Sequence, residues 1–366
     1  MLINLHNYRC FDQLNLQLPD SNFIILDDNG SGKTSILSAF YSLYTGQPLP
    51  NTKFSQYLKV GTEYFGVGTD DSAWFITGKV SPSGRVTTKY SNPKTADKKT
   101  ILTYQPIDNY WLSQSRVSKL TILDNIIAQT SGDYLILLKQ LEKLTKAKLE
   151  LIKKTNQTGQ TDKVMVQYFG QNILLVSNKI WFVRHKFLSY IQKQMSQFDS
   201  FIQTNIFSWE VNWQIVDIYG KKQNYRDLDS DKLYSQITDL ALENNFMELW
   251  QRELILEKVL FGANRDDFEF IGTNLGGRLN IEQILSRGEM RLFVLWVKKL
   301  NTIPNETIWL LDDIFNELDD RREQILLESV FQNSSQIIAT GTRCNLQNLP
   351  KFTVSDLKTS LTTELR

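Results

Sequence analysis

Apolar and polar residues alternate in the manner of strands over the first thirty positions, through Leu2, Asn4 and Leu5 and again through Asn15-Leu16-Gln17-Leu18. A Pro19-Asp20 turn follows, then the continuously apolar Phe23-Ile24-Ile25-Leu26. The chain next passes through a glycine-containing loop into Ser35–Tyr44, where Ile36, Leu37, Phe40, Tyr41, Leu43 and Tyr44 recur at helical spacing and Thr45-Gly46 supplies the stop. A buried strand therefore feeds through a loop into a helix. Tyr64–Val67 and Ala73–Thr77 read as short strands, followed by the polar stretch Lys79–Lys99. From Ile122 to Leu260 the period lengthens, through Tyr134, Leu135, Leu138, Leu141, Leu144, Leu149 and Ile152 and then Trp181, Phe182, Phe187, Leu188 and Ile191. This predicts a helix-rich middle segment, with Thr155–Thr161 as a loop. A third region begins near Phe261 and carries a strand at Ile308–Leu311, a helix from about Arg321 to Phe331 and a strand at Gln336–Ala339.

Composition narrows the class. The 366 residues are 41% hydrophobic and 22% charged, an ordinary soluble globular balance with room for two or three subdomains, which excludes disordered and collagen-like chains. The longest apolar runs, Leu135–Leu138 and Ile173–Val176, fall far short of the roughly 18 residues of a membrane span. The first residues lack the basic-then-apolar layout of a signal peptide, so a cytoplasmic protein is expected. Cys10 and Cys344 offer no disulfide framework or metal spacing and are expected to be buried thiols. A net charge of +1 neither demands nor excludes a polyanionic partner.

The candidate chemistry lies where strand meets helix. Asp27-Asp28-Asn29-Gly30-Ser31-Gly32-Lys33-Thr34 sits in the setting of a Walker A loop. Backbone amides from Asn29 to Ser35 would wrap the phosphates, the helix N-terminus would add partial positive charge, Lys33 would reach the β- and γ-phosphates and the Thr34 hydroxyl would ligate Mg²⁺. Asp27 replaces the first glycine of the pattern, placing a carboxylate near a triphosphate at a position where a positive φ would strain it. Ile308-Trp309-Leu310-Leu311-Asp312-Asp313 reads as a Walker B strand, with Asp312 holding Mg²⁺ and Asp313 as the general base toward water. Glu317-Leu318-Asp319 follow on a turn. Leu285-Ser286-Arg287-Gly288-Glu289 opens another helix. Ser286 and Glu289 have capping-box spacing, while Ser286 and Gly288 at a helix N-terminus also suit a second phosphate contact.

In this order, with a helical insertion between the motifs, the chain resembles the RecF family, ATPases related to the SMC and Rad50 heads. Asn7-Tyr8-Arg9-Cys10-Phe11 is similar to that family's opening strand, Asn29–Thr34 to its Walker A, and Phe261-Gly262-Ala263-Asn264-Arg265-Asp266-Asp267 to its Gly-Pro-His-Arg-Asp-Asp stretch. Ile122-Leu123-Asp124 with Tyr134-Leu135, Ser286–Arg291 and Leu310–Asp319 continue the series. The resemblance implies an α/β fold: an ABC-type P-loop ATPase lobe of mixed sheet and helices from residues 1–105 and 305–366, plus a helix-rich second lobe, residues 106–304, carrying the signature turn. It implies ATP and Mg²⁺ as ligands and an ATP-induced homodimer, with Ser286 and Gly288 reaching the γ-phosphate held by the partner. It further implies slow, DNA-stimulated hydrolysis, double-stranded and gapped DNA as substrate, and RecR and RecO-like proteins as partners in loading RecA. The switch histidine of transporter ATPases is absent, the positions after the last strand being Thr340-Gly341-Thr342, and Gln105 is the candidate sensing glutamine.

Phosphate contacts to DNA need lysine and arginine but little sequence code. Lys79, Arg85, Lys89 and Lys94, in a stretch with a net charge of +5 from Lys79 to Lys99, are one candidate set. Lys139, Lys143 and Lys146, in a segment with a net charge of +4 from Lys139 to Lys163, are another. No aromatic-plus-basic stacking motif stands out, and Trp111, Trp209 and Trp213 are expected in the core. The competing readings are a DNA clamp that holds ATP without turnover, a transporter nucleotide-binding subunit and a simple P-loop kinase.

Overall fold

The chain opens with a hairpin. In the computed structural model, β1 (Leu2–Tyr8) and β2 (Phe11–Gln17) pair antiparallel around Arg9 and Cys10, with Tyr8 opposite Phe11. β3 (Phe23–Leu26) leads to α1 (Lys33–Thr45), which ends where Gly46 turns left-handed and returns its amide to the Ser42 carbonyl. β4 (Tyr64–Thr69), β5 (Phe75–Val80) and β6 (Val86–Ser91) extend the hairpin into a five-stranded antiparallel sheet of order β2-β1-β4-β5-β6, and β7 (Thr100–Tyr104) follows. Ile3, Leu5, Leu14, Leu16, Phe65, Val67 and Ile76 point to one face and form the core with Ile36, Leu37 and Phe40 of α1. The strand β6 falls inside the stretch read as merely polar: an edge strand with Val86 as its one aliphatic residue leaves no alternation to read. The structure describes residues 1–69, 74–91, 99–202, 206, 208–216, 222–224, 246–274, 276–316, 318–326, 328, 331, 334–346 and 349–358.

Residues Tyr110–Asn301 form a compact unit of their own. α2 (Arg116–Ala128) is capped by Ser115, α3 (Gly132–Thr158) by Ser131, and α4 (Lys163–Ile202) is 40 residues long. The expected loop at Thr155–Thr161 is shorter in the structure, because α3 continues to Thr158 before Gly159 turns it off with φ 69°. This unit also holds strands that the sequence pattern did not announce. β8 (Ser208–Val216), β9 (Lys222–Asn224), β10 (Asp267–Asn274) and β11 (Gly277–Asn280) form a four-stranded sheet of order β11-β10-β8-β9, with α5 (Met247–Leu256) between β9 and β10. The alternating burial of Val211, Trp213 and Ile215 is the strand signal there. α6 (Arg287–Lys299) packs Phe293 against Phe270 and Phe198. Trp111 and Trp213 are buried as expected, whereas Trp209 is half-buried.

The chain then returns to the first unit, Met1–Asn109 with Thr302–Arg366, through β12 (Thr307–Leu311), the short α7 (Asp320–Ile325), β13 (Gln336–Gly341) and β14 (Lys351–Phe352). These complete a second, wholly parallel sheet of order β14-β3-β13-β12-β7. The helix expected from about Arg321 to Phe331 is described as far as Ile325. Cys344 is buried as expected, but Cys10 is exposed: it occupies the hairpin turn, where its neighbours Tyr8 and Phe11 take the inward positions. Among the described residues, no helix is long and apolar enough to cross a membrane.

Candidate nucleotide-binding site

Parallel pairing sets the geometry. Leu26 at the end of β3 lies opposite Gly341 of β13, and Ala339 lies opposite Leu311 of β12, so the loop after β3 and the carboxylates after β12 leave the same edge of one sheet. Ligands of open α/β sheets bind outside such carboxyl ends.

At that edge Thr34 Oγ1 donates to both oxygens of Asp312, at 2.9 and 3.0 Å, and Thr340 Oγ1 donates to Asp312 Oδ1 at 2.8 Å. Burial pushes the Asp312 carboxyl above its ordinary range. The hydrogen bonds from Thr340 and Thr34 pull it back, and the neighbouring Asp313 adds to the rise. The Lys33 ammonium donates to the Asp27 and Asp28 carbonyls at 2.6 and 2.7 Å, which keeps it inside the loop. Gly30 has φ 87° with open space around it, and Gly32 has φ 100° directly before the first turn of α1. A β-carbon on Gly32 would fall 2.3 Å from the Phe11 ring, so the hairpin tip and the loop's conformation both require glycine there. The Ser31 hydroxyl is buried with no hydrogen-bond partner, Asn29 is exposed and Ser35 is buried in the first turn. Left-handed glycines, an orphaned hydroxyl, a helix N-terminus and a lysine make a cradle that suits phosphate oxygens, and a hydroxyl converging on a buried carboxylate suits a divalent cation.

Asp27 does not do what its position suggested. Among the described residues the non-glycine positive φ values belong to Asn7, Arg9, Asn51, Glu257, Asn305 and Asp313, so Asp27 keeps an ordinary backbone. Its carboxylate turns away to accept the Asp28 amide at 2.8 Å and the Val354 amide at 3.0 Å. Asp313 is the left-handed residue, with φ 53°; its amide donates to Thr340 Oγ1 at 3.0 Å, and the Ile314 amide donates to the Thr340 carbonyl. The sequence reading named Thr340 only as part of the segment that replaces the switch histidine; the structure adds that it joins both carboxylate residues. The signal was a hydroxyl at the end of the strand beside β12.

The remaining candidates divide. Gln105 directly follows β7, the neighbour of β12, and its side-chain amide donates to the Pro50 carbonyl at 2.8 Å. Asp319 caps α7 and pairs with Arg322, and Thr342 donates to the Asn316 side chain at 3.1 Å. Glu317 lies outside the described residues, as does Lys94. In the second unit, the Ser286 hydroxyl donates to the Glu289 carboxylate at 2.7 Å, which also accepts the Ser286 amide, a capping box at the start of α6; Gly288 is buried in its first turn. Lys79, Arg85, Lys89, Lys139, Lys143 and Lys146 are all exposed, with Lys146 paired to Glu142. Lys148, counted in the basic segment, is instead buried, 2.7 Å from Glu253 and over the Phe261 ring.

A second polar network was also missed. Arg184 is fully buried between Asp124, at 2.7 Å, and Asp266, at 2.5 Å. Tyr134 donates to Asp124 at 2.6 Å and Trp181 to Asp266 at 2.8 Å. Asp124, Tyr134 and Asp266 belong to motif segments quoted above. Here they hold the second unit together, and Arg184 comes from the long helix α4.

The chain matches the family model described as AAA domain over residues 2–337. It is 23% identical to a DNA replication and repair protein RecF of Bacillus mycoides (strain KBAB4), over 98% of this chain and 95% of that one. A solved structure of the recombination mediator protein RecF-ATP in the RecFOR pathway superposes with TM-score 0.71 at 20% identity, covering 94% of this chain and 92% of that chain. A second, of RecF-ATPrS, gives 0.70 at 21% identity, covering 94% and 93%. The expected fold class is therefore established: an α/β P-loop ATPase lobe of mixed sheets and helices with a helix-rich second lobe.

Proposed function

Because this chain belongs to the AAA-domain family and is similar to RecF proteins along nearly its whole length, we propose that it is a RecF-like ATP-dependent DNA-binding protein of recombinational gap repair. The observation that carries the reading is the convergence of Thr34 on Asp312, which joins the phosphate loop to the acidic strand end.

ATP is the substrate. Amides from Asn29 to Ser35 and the Lys33 ammonium hold its β- and γ-phosphates, and the Ser31 hydroxyl gains a partner there. Thr34 and Asp312 are the residues that would hold Mg²⁺, which supplies positive charge against the negative charge developing on the phosphate oxygens. Asp313 accepts a proton from the attacking water as its oxygen bonds to the γ-phosphorus and the bond to ADP breaks. Ser286 and Gly288 of a second copy contact the γ-phosphate, so ATP closes a homodimer and slow, DNA-stimulated hydrolysis reopens it. Double-stranded and gapped DNA lies on the closed dimer, with phosphate contacts from Lys79, Arg85 and Lys89 and from Lys139, Lys143 and Lys146. The site of action is the cytoplasm, with RecR and RecO-like partners that assist RecA loading.

Sedimentation of the purified chain on gapped duplex DNA, with and without Mg²⁺-ATP and with Asp313→Asn to slow turnover, tests this. The expected result is an ATP-dependent dimer on DNA that Ser286→Arg prevents without loss of ATP binding. A monomer indifferent to ATP overturns it.

A further inference from the structure

One face of the antiparallel sheet is spent on the core, and the other has an unusual composition. The register places Gln13, His6, Gly66, Thr77 and Lys89 side by side in one row across the strands, and Asn15, Asn4, Gly68, Phe75 and Ser91 in the next. Tyr64, Lys79 and Thr87 make a third row. Not one of these positions is acidic. Tyr64 stands 52% exposed beside the ammonium-bearing Lys79, and Gly66 leaves the backbone bare next to it. The result is a groove of about 550 Å³ lined by His6, Tyr64, Gly66, Thr77, Lys79 and Lys89. Phe75, half-buried, lies on the same face of β5, four residues or about 13 Å from Lys79.

A lysine on the edge strand β6 is ordinary protection against strand pairing. That does not account for Lys79 and Tyr64, which sit on β5 and β4 within the sheet. Solvated faces mix charges of both signs, whereas the described residues of this one offer only positive charge, amides, hydroxyls and aromatic rings. Paired bases are stacked on each other inside a duplex and leave no face for a tyrosine. Unpaired bases present theirs, and a ring flanked by cations on a polar sheet is the usual means of holding them.

We propose that this face binds single-stranded DNA, with Tyr64 stacking on an unpaired base and Lys79 and Lys89 contacting the flanking phosphates. The inference rests on the DNA-binding reading above and assigns to this face the unpaired part of a gapped substrate.

The test is fluorescence anisotropy of the full chain with a labelled oligothymidylate of about 16 nucleotides, the upper end of site sizes for single-strand binding folds, and in parallel with a blunt duplex. Tyr64→Ala weakens oligothymidylate binding roughly 5- to 150-fold and leaves duplex and ATP binding unchanged, while Tyr64→Phe, which keeps the ring, binds like the parent. Lys79→Gln and Lys89→Gln each flatten the single-strand salt slope by about 0.7. Oligothymidylate affinity unchanged in Tyr64→Ala, or a parent chain that binds duplex but no oligothymidylate, overturns the inference and leaves the DNA-binding reading standing. A parent chain that binds neither DNA overturns both.

Discussion

Thr34 and Asp312 lie 278 residues apart in sequence, yet the hydroxyl of one donates to both carboxylate oxygens of the other. Two strand spacings of roughly 4.8 Å separate β3 from β12, with β13 between them, and the loops that leave their carboxyl ends close the remaining distance. Thr34→Val keeps the shape and removes the hydroxyl. Hydrogen bonds to charged groups contribute about 1.5–3 kcal/mol, so Mg²⁺-dependent nucleotide affinity is expected to fall by one to two orders of magnitude, and Thr34→Ser to retain it. Fluorescent-nucleotide binding titrated with Mg²⁺ reads the difference, and equal affinities would remove Thr34 from the cation's shell.

Asp313 occupies a left-handed backbone position that Thr340 secures through the Asp313 amide. Thr340→Val leaves that amide and one Asp312 acceptor without this partner, at a cost of roughly 1–3 kcal/mol. Reduced stability to urea together with slower ATP turnover is expected, and Thr340→Ser should restore both. A Val variant with parental stability and turnover would mean that the hydroxyl does not fix the Asp313 geometry.

Asp27 fastens the phosphate loop to Val354, its carboxylate accepting the Asp28 and Val354 amides. Asp27→Gly, although it restores the Walker A pattern, should therefore lower stability. The added backbone freedom alone costs about 0.5–1 kcal/mol, and the two lost amide contacts add to it. Chemical denaturation of the two proteins measures this; a glycine variant more stable than the parent would contradict the fastening role.

Lys148 and Glu253 are both fully buried and 2.7 Å apart. Burial is the larger influence on Lys148 and pulls its ammonium below the ordinary lysine range, with Glu253 pulling the other way. Removing one partner strands a buried charge: Glu253→Leu is expected to destabilise by about 3–5 kcal/mol, while Lys148→Met with Glu253→Leu recovers most of the loss. With the folded pKa lowered, the unfolded chain binds more protons as pH rises through that value toward the ordinary lysine range near 10.4, so the lysine's contribution to stability rises across that window. The double variant should lack this rise. Denaturation midpoints of the three chains across pH settle both points, and a double variant no better than the single one would count against the pairing.

The hairpin turn gives a simpler check. Cys10 is exposed and Cys344 buried, so a thiol reagent should modify one cysteine in the native chain and both after denaturation, and Cys10→Ser should remove the native reaction. Native reaction in that variant would place the accessible thiol at Cys344.

The sequence by itself determined whatever is local. Phe23–Leu26, the glycines at 30 and 32, Lys33 and the period of α1 name a phosphate loop because strand, turn and helix are contiguous, and Ser286 with Glu289 names a helix cap for the same reason. It also contained Thr34 and Asp312, each just beyond the end of a strand, but could not display the adjacency of those strands. What only the tertiary structure decided depends on residues far apart in the chain. Thr340 meets Asp312 because β13 lies beside β12, Asp27 finds the Val354 amide because β14 lies beside β3, and Arg184 gathers Asp124 and Asp266 from distant parts of the second unit. The burial of Lys148 and the row of Tyr64, Lys79 and Thr87 across three strands belong to the same class. Periodicity reports which side of an element is apolar, but the identity of the neighbour across a sheet or a core is fixed by long-range packing, and that neighbour determines whether a charge is paired, buried or left facing solvent.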